Sequence, residues 1–139
     1  MASYINTGAY LRMLWDDLRY NMEIQLKENG YDDISPSHGW IFSNTEDGGS
    51  RITELAAKAR ITKQSMSVLV TQLENGGYVK KTPDPNDKRA WLLVLTAKGK
   101  KVKSAGQQIN YAFEEQWKKK LGEKDYNQLR QLLMKLCEE

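Results

Sequence analysis

Cysteine is almost missing from this 139-residue chain: Cys137 is the single one. That excludes an intramolecular disulfide framework and fits a reducing cytosol, leaving only a bridge between two chains. Histidine is equally scarce. His38 stands alone, so no His/Cys metal cluster can be assembled, and His38 and Cys137 have no reason to meet as base and nucleophile. A phosphate-binding glycine loop and a dinucleotide fingerprint are also lacking. An enzyme is therefore the weakest reading, and no metal or cofactor is expected. No apolar run approaches the roughly 18 residues that span a bilayer. The opening Met1-Ala2-Ser3-Tyr4-Ile5-Asn6 lacks the basic-then-apolar order of a secretory signal, so the expected location is cytoplasmic. Acid is scarce in one place. From Arg51 to Lys103 there are twelve Lys or Arg against four acids, a local charge of +8, while the remainder carries −5. A basic centre between acidic ends suggests one lobe that faces a polyanion. The plain alternative is a solvated lysine-rich surface.

The same basic segment holds the densest pattern. Two short helical stretches flank a tight connection at Ala59 to Thr62. In the second, Met66, Leu69, Val70 and Leu73 fall at i, i+3, i+4 and i+7, one apolar face of a helix. Its other face carries Lys63, Gln64, Ser67, Thr71 and Gln72, hydrogen-bonding groups with almost no acid. A helix apolar behind and small, polar and basic in front suits a DNA major groove. Thr62 is its expected N-cap and Thr53 that of the preceding helix, which buries Leu55, Ala56 and Ala59. Gly76-Gly77 ends the second helix, and Tyr78 to Thr82 reads as a strand. Pro83 to Arg89 is rich in turn formers, its prolines keeping most of the loop out of a ladder. Ala90 to Leu95 returns as a strand. The expectation is a helix-turn-helix with a wing.

The flanks are helical. From Thr7 to Asn29, Leu11, Leu14, Trp15, Leu18, Met22 and Leu26 keep helical spacing up to Gly30. Ser35 is a plausible N-cap, with Pro36 at N1, for a short helix carrying Trp40, Ile41 and Phe42 into a core. His38, at its start, is expected as a surface or capping residue. Asn44 to Ser50 is a turn-rich loop, and Arg51-Ile52 a short strand. Thr96 is placed to cap a long helix through Val102, Ala105, Ile109, Ala112, Phe113 and Trp117, weakened by Gly99 and Gly106. Leu121-Gly122 breaks it. A last helix from about Glu123 carries Tyr126, Leu129, Leu132, Leu133 and Leu136 on one side. The fold class is mainly α with a small β-hairpin wing, a single domain over 1–139. A winged-helix lobe at about 33–99 would be flanked by dimerisation helices at 1–30 and 100–139. Leu11, Leu14, Trp15, Leu18, Phe113, Trp117, Leu129, Leu133 and Leu136 exceed what so small a lobe can cover, which points to burial in a two-fold homodimer.

Three motifs in order resemble the MarR (multiple antibiotic resistance regulator) family. They are Ile52-Thr-Glu-Leu-Ala, then Thr62-Lys-Gln-Ser-Met-Ser with Leu73-Glu-Asn-Gly-Gly-Tyr-Val, then Asp84-Pro-Asn-Asp-Lys-Arg-Ala with Leu95-Thr-Ala-Lys-Gly99. The resemblance implies a homodimeric transcriptional regulator, most often a repressor, whose terminal helices form the dimer interface. It places a recognition helix, here Thr62 to Asn75, in the major groove and the wing, 83–90, at the minor groove through Arg89. Asp87 matches an aspartate that helps orient that arginine. A small-molecule effector between the lobes is implied as a further partner. Some relatives sense peroxide with a cysteine near the N-terminus, which this chain lacks.

Read as chemistry, Arg60, Lys63, Lys88 and the hydroxyls of Thr62 and Ser65 suit phosphate near a helix N-terminus. Gln64 can pair with adenine, and Ser67 or Thr71 can bond several bases. Arg89 suits a narrow A·T-rich minor groove. Trp15, Tyr20, Trp40, Tyr78, Trp91 and Tyr111 are the aromatics that could line a ligand cleft. The competing class is a winged helix serving as a protein-interaction or architectural module without its own operator. A basic, acid-poor recognition face argues against it.

Overall fold

A computed structural model describes residues 3–138, so Met1 and Ala2 of the N-terminal stretch read above for a signal lie outside the described residues. Helix α1 (Thr7–Glu28) begins where the Asn6 side chain accepts the Ala9 N–H at 2.7 Å. Its apolar positions give out at Asn29-Gly30, where Gly30 takes φ +86°. Helix α2 (Pro36–Asn44) has the expected Ser35 cap, closed reciprocally by His38, which is buried rather than on the surface. A strand β1 (Ser50–Arg51) then runs without a break into α3 (Ile52–Ala59). Thr53 does not cap α3, and Ile52 is not in the strand. Arg51 is the N-cap, without a side-chain capping bond, because its backbone is already held opposite Leu92 in the sheet.

Helix α4 (Lys63–Asn75) is capped by Thr62 and followed by the wing strands β2 (Val79–Asp84) and β3 (Asp87–Leu95). The sheet is antiparallel in the order β1-β3-β2. The hairpin is tighter than the two prolines suggested. Pro83 lies inside the ladder opposite Trp91, and only Pro85 and Asn86 stay out of it, so β3 starts at Asp87 rather than Ala90. Pro83 is tolerated because β2 is an edge strand, where a missing N–H costs no ladder bond. The register shifts just after it.

Ile41, Met66, Val70, Leu73 and Leu93 are fully buried and draw α2, α4 and β3 onto one core. Leu26 of α1 and Val102 of α5 (Ala97–Leu121) reach into the same cluster, joining the long helices to the winged-helix lobe. Thr96 caps α5, accepting the Gly99 N–H at 3.2 Å. Gly122, at φ +84°, turns the chain into α6 (Glu123–Cys137), whose Tyr126 is buried.

Tyr78 is the junction. Its carbonyl accepts the Thr96 N–H at 3.0 Å, and its phenol donates to Asp33 Oδ1 at 2.7 Å. Phe42 meets the ring edge-on, and the Lys98 ammonium stands 4.3 Å from its centroid. Burial, then the Asp33 carboxylate, push the phenol well above its ordinary range. Gly99 is no weakness in α5 but a requirement: a Cβ there would collide with the carbonyl oxygen of Tyr78. At Gly106 a Cβ meets nothing within 4 Å. Gly99→Ala should therefore cost about 1–3 kcal/mol through overpacking. Gly106→Ala should add about 0.5–1 kcal/mol from helix propensity. Urea unfolding of the two variants checks both signs.

Candidate nucleic-acid interface

Helix α4 presents its polar side because the other side is consumed by the core. Met66, Val70 and Leu73 point inward, and Lys63, Gln64, Ser67 and Thr71 are exposed. The cap shapes the start of that face. Thr62 Oγ1 accepts the Ser65 N–H at 3.0 Å and donates to Ser65 Oγ at 2.9 Å. The Thr62 hydroxyl proton is thus spent internally, and the Ser65 proton is the one left for a phosphate oxygen. Arg60, exposed at the connection between α3 and α4, holds the left-handed conformation at φ 56°. Its side chain and that of Lys63 stand on either side of the Thr62 cap in sequence, where unpaired N–H groups and the helix dipole favour an anion.

At the wing, Asp87 accepts the backbone N–H of Arg89 at 3.0 Å, so it shapes the turn through the main chain. Lys88 and Arg89 are exposed next to it. Among the described residues, Arg60, Lys63, Lys88 and Arg89 make no ion pair, whereas Lys81 is tied to Glu74 at 3.3 Å. Four uncompensated cations therefore sit on the helix start and the wing.

Two residues of this region escaped the sequence reading. Val68 is 58% exposed on the same side of α4 as Gln64 and Thr71, an apolar contact suited to a thymine methyl. The pattern held the signal, because Val68 is off the register of Met66, Leu69, Val70 and Leu73. The second is Asp84, buried under the wing. Its Oδ2 takes the Arg51 Nε at 2.8 Å and its Oδ1 the Asn86 N–H at 2.9 Å, so one carboxylate joins β1 to the wing turn. Gln72, expected on the polar face, is exposed and also bonds His38 at 2.9 Å through its amide oxygen.

Leu11, Leu14, Trp15 and Leu136 are exposed, and Leu18, Phe113, Trp117, Leu129 and Leu133 half-buried, on the long helices. A cavity of about 400 Å³ opens between α1, α2 and α5. Trp15, Leu18, Met22, Trp40 and Val102 give it apolar walls, with Arg19 and Lys103 as cations. Of the six aromatics named from sequence, Trp15 and Trp40 line it. Tyr78 is in the core, and Tyr20, Trp91 and Tyr111 are exposed outside its wall.

The Asn86 N–H, and after it the Arg51 guanidinium, hold the Asp84 carboxyl below the ordinary carboxylate range, against the opposing effect of burial. A lowered folded-state value stabilises the fold above the unfolded value, and that stability is lost as pH falls through the lowered one. Thermal unfolding of the wild type should therefore soften on the acid side of the carboxylate range. Asp84→Asn should be less stable near neutrality and lack that part of the acid dependence; parallel melting curves across pH would contradict this role.

Comparison with known proteins agrees with this arrangement. Residues 32–90 match the family model described as MarR family. Transcriptional regulator HosA of Escherichia coli O111:H- is 27% identical over 101 residues, 73% of this chain and 75% of its own length. Among solved structures, wild-type MarR from E. coli superposes with TM-score 0.78 at 20% identity, covering 97% of this chain and 98% of that one. Streptococcus pneumoniae FabT, solved in complex with DNA, gives TM-score 0.79 at 19% identity over 93% of this chain and 91% of that one. That match runs from just before α2 through the turn of the wing and stops at Ala90 within β3, and the structural likeness extends through the long helices. Residues 32–90 are thus similar to the MarR family, and the fold as a whole is that of the solved MarR structures.

Proposed function

We propose that this protein is a homodimeric, sequence-specific double-stranded DNA-binding regulator that represses transcription. Helix α4 enters the major groove and wing residues 83–90 lie at the minor groove. The observation that carries the reading is the exposed face of α4, where Gln64, Ser67, Val68 and Thr71 follow a capped, cationic N-terminus on a helix anchored from behind. Arg60, Lys63, Lys88 and Ser65 supply phosphate contacts, which give affinity, while Thr62, its hydroxyl proton spent on Ser65, holds the turn that presents them. Gln64, Ser67 and Thr71 read base edges. Arg89, its backbone set by Asp87, reaches the narrow groove. The fold of FabT, solved with DNA, supports the same placement here.

The apolar residues left open on the long helices, Leu11, Leu14, Trp15, Leu18, Phe113, Trp117, Leu129, Leu133 and Leu136, form the homodimer interface. Two-fold pairing sets two α4 helices to read half-sites about 10 bp apart. The cavity beside Trp15 and Trp40 takes a small-molecule effector that releases the operator.

Selection from a random duplex pool at two salt concentrations tests the whole reading. It should enrich a pseudo-palindrome bound with a steep salt dependence, as counterion release requires. Gln64→Ala and Arg89→Ala should each cost about 1–3 kcal/mol on the enriched duplex. Gln64→Ala should relax one major-groove position and Arg89→Ala an A·T-rich flank. Equal losses on specific and random duplexes would remove the base-reading role of Gln64. Sedimentation should give twice the chain mass for the wild type and a monomer for Leu14→Glu combined with Leu133→Glu.

A further inference from the structure

His38 is 6% exposed, and both of its ring nitrogens are engaged. Nδ1 accepts the backbone N–H of Ser35 at 3.0 Å and lies 2.9 Å from the Ser35 hydroxyl. A backbone N–H can only donate, so Nδ1 carries no proton and the neutral ring bears its hydrogen on Nε2. Nε2 then donates to Gln72 Oε1 at 2.9 Å. The bond joins residues 34 apart in sequence, from the first turn of α2 to the last full turn of α4. Ser35, Pro36 and Gly39, which surround His38 in the chain, line the cavity between α1, α2 and α5. One imidazole therefore connects the cavity wall to the recognition helix.

We infer that His38 is a positioning residue for DNA recognition: through Gln72 it fixes the C-terminal half of α4 relative to the first turn of α2. Apolar packing of Met66, Val70 and Leu73 resists pulling α4 away from the core but resists sliding and rotation less, since such contacts are non-directional. A hydrogen bond is directional and sets what the packing leaves free. Any ligand that displaces the Ser35–Gly39 turn moves the donor of that bond. This last step rests on the operator-binding reading above; the positioning itself does not.

Three variants separate the roles. In His38→Asn the amide oxygen falls where Nδ1 was and keeps the Ser35 cap, but the side chain is too short for Gln72. His38→Gln places an amide donor at the Nε2 position and should rescue. Gln72→Leu removes the acceptor without touching α2. On the duplex enriched by selection, His38→Asn and Gln72→Leu should each weaken binding about fivefold, the worth of one hydrogen bond. Binding to random duplex should be unchanged. The double variant should be no weaker than either single one, and His38→Gln should recover most of the loss. Additive losses would mean that Gln72 contacts DNA on its own account, and would overturn the inference, as would full affinity in His38→Asn. Hydrogen exchange needs no DNA: amides of residues 69–75 should exchange several-fold faster in both single variants. Unchanged protection there sinks the positioning role even if no duplex is enriched, an outcome that would count separately against operator binding.

Discussion

The carbonyl of Tyr78 is the point on which the arrangement turns. It accepts the Thr96 N–H, and the first turn of α5 passes so close that only glycine fits at position 99. The phenol end of the same residue is held by Asp33, and the ring lies against Phe42. One side chain and its peptide thus fasten the end of α4, the start of the wing and the start of α5. Because α5 leaves this junction with its Val102 in the lobe's core, the direction of a 25-residue helix is set within its first two turns.

The exposed face of α4 is rigid behind and unpaired in front, and the chain achieves the two with different chemistry. Behind α4 are close-packed aliphatic groups, whose contacts are individually weak and collectively strong. In front are hydroxyls, an amide and cations without ion-pair partners among the described residues. The wing has little core beneath it and is held by a buried carboxylate instead. Asp84 uses both oxygens, one for the Arg51 guanidinium and one for the turn. A buried charge is tolerated where both its partners are fixed by the backbone, and here β1 and the Asn86 turn fix them.

The connection between α2 and α4 is of the same kind. His38 fills two roles with its two nitrogens, capping α2 at one and bonding Gln72 at the other. Polar links of this sort have a single satisfied geometry, so they transmit displacement where an apolar contact would slip.

Much of this was legible in order along the chain, because the signals were local. Apolar period, caps at Ser35, Thr62 and Thr96, and glycines after Asn29 and Asn75 are decided by a few neighbouring residues, and the helices begin and end where those residues stand. Lys63, Gln64 and Ser67 could be put on the open side of α4 for the same reason: helix geometry fixes their sides. Thr53 and the wing prolines misled because the outcome depended on a distant strand. Pairing with Leu92 holds Arg51 extended and starts α3 early, and the edge position of β2 lets Pro83 stay in the ladder. Asp84, Gln72 and Gly99 read in sequence as a turn acid, a polar surface residue and a helix breaker. Tertiary structure made them a wing anchor, a partner for a buried histidine and a close-approach site. Hydrogen bonds such as Arg51–Asp84 and His38–Gln72 join residues more than 30 positions apart, and no local pattern encodes which polar group will meet which. The sequence by itself settled the periodic elements and the kind of surface they carry; only folding decided which polar side chains are spent inside the protein and which remain for a partner.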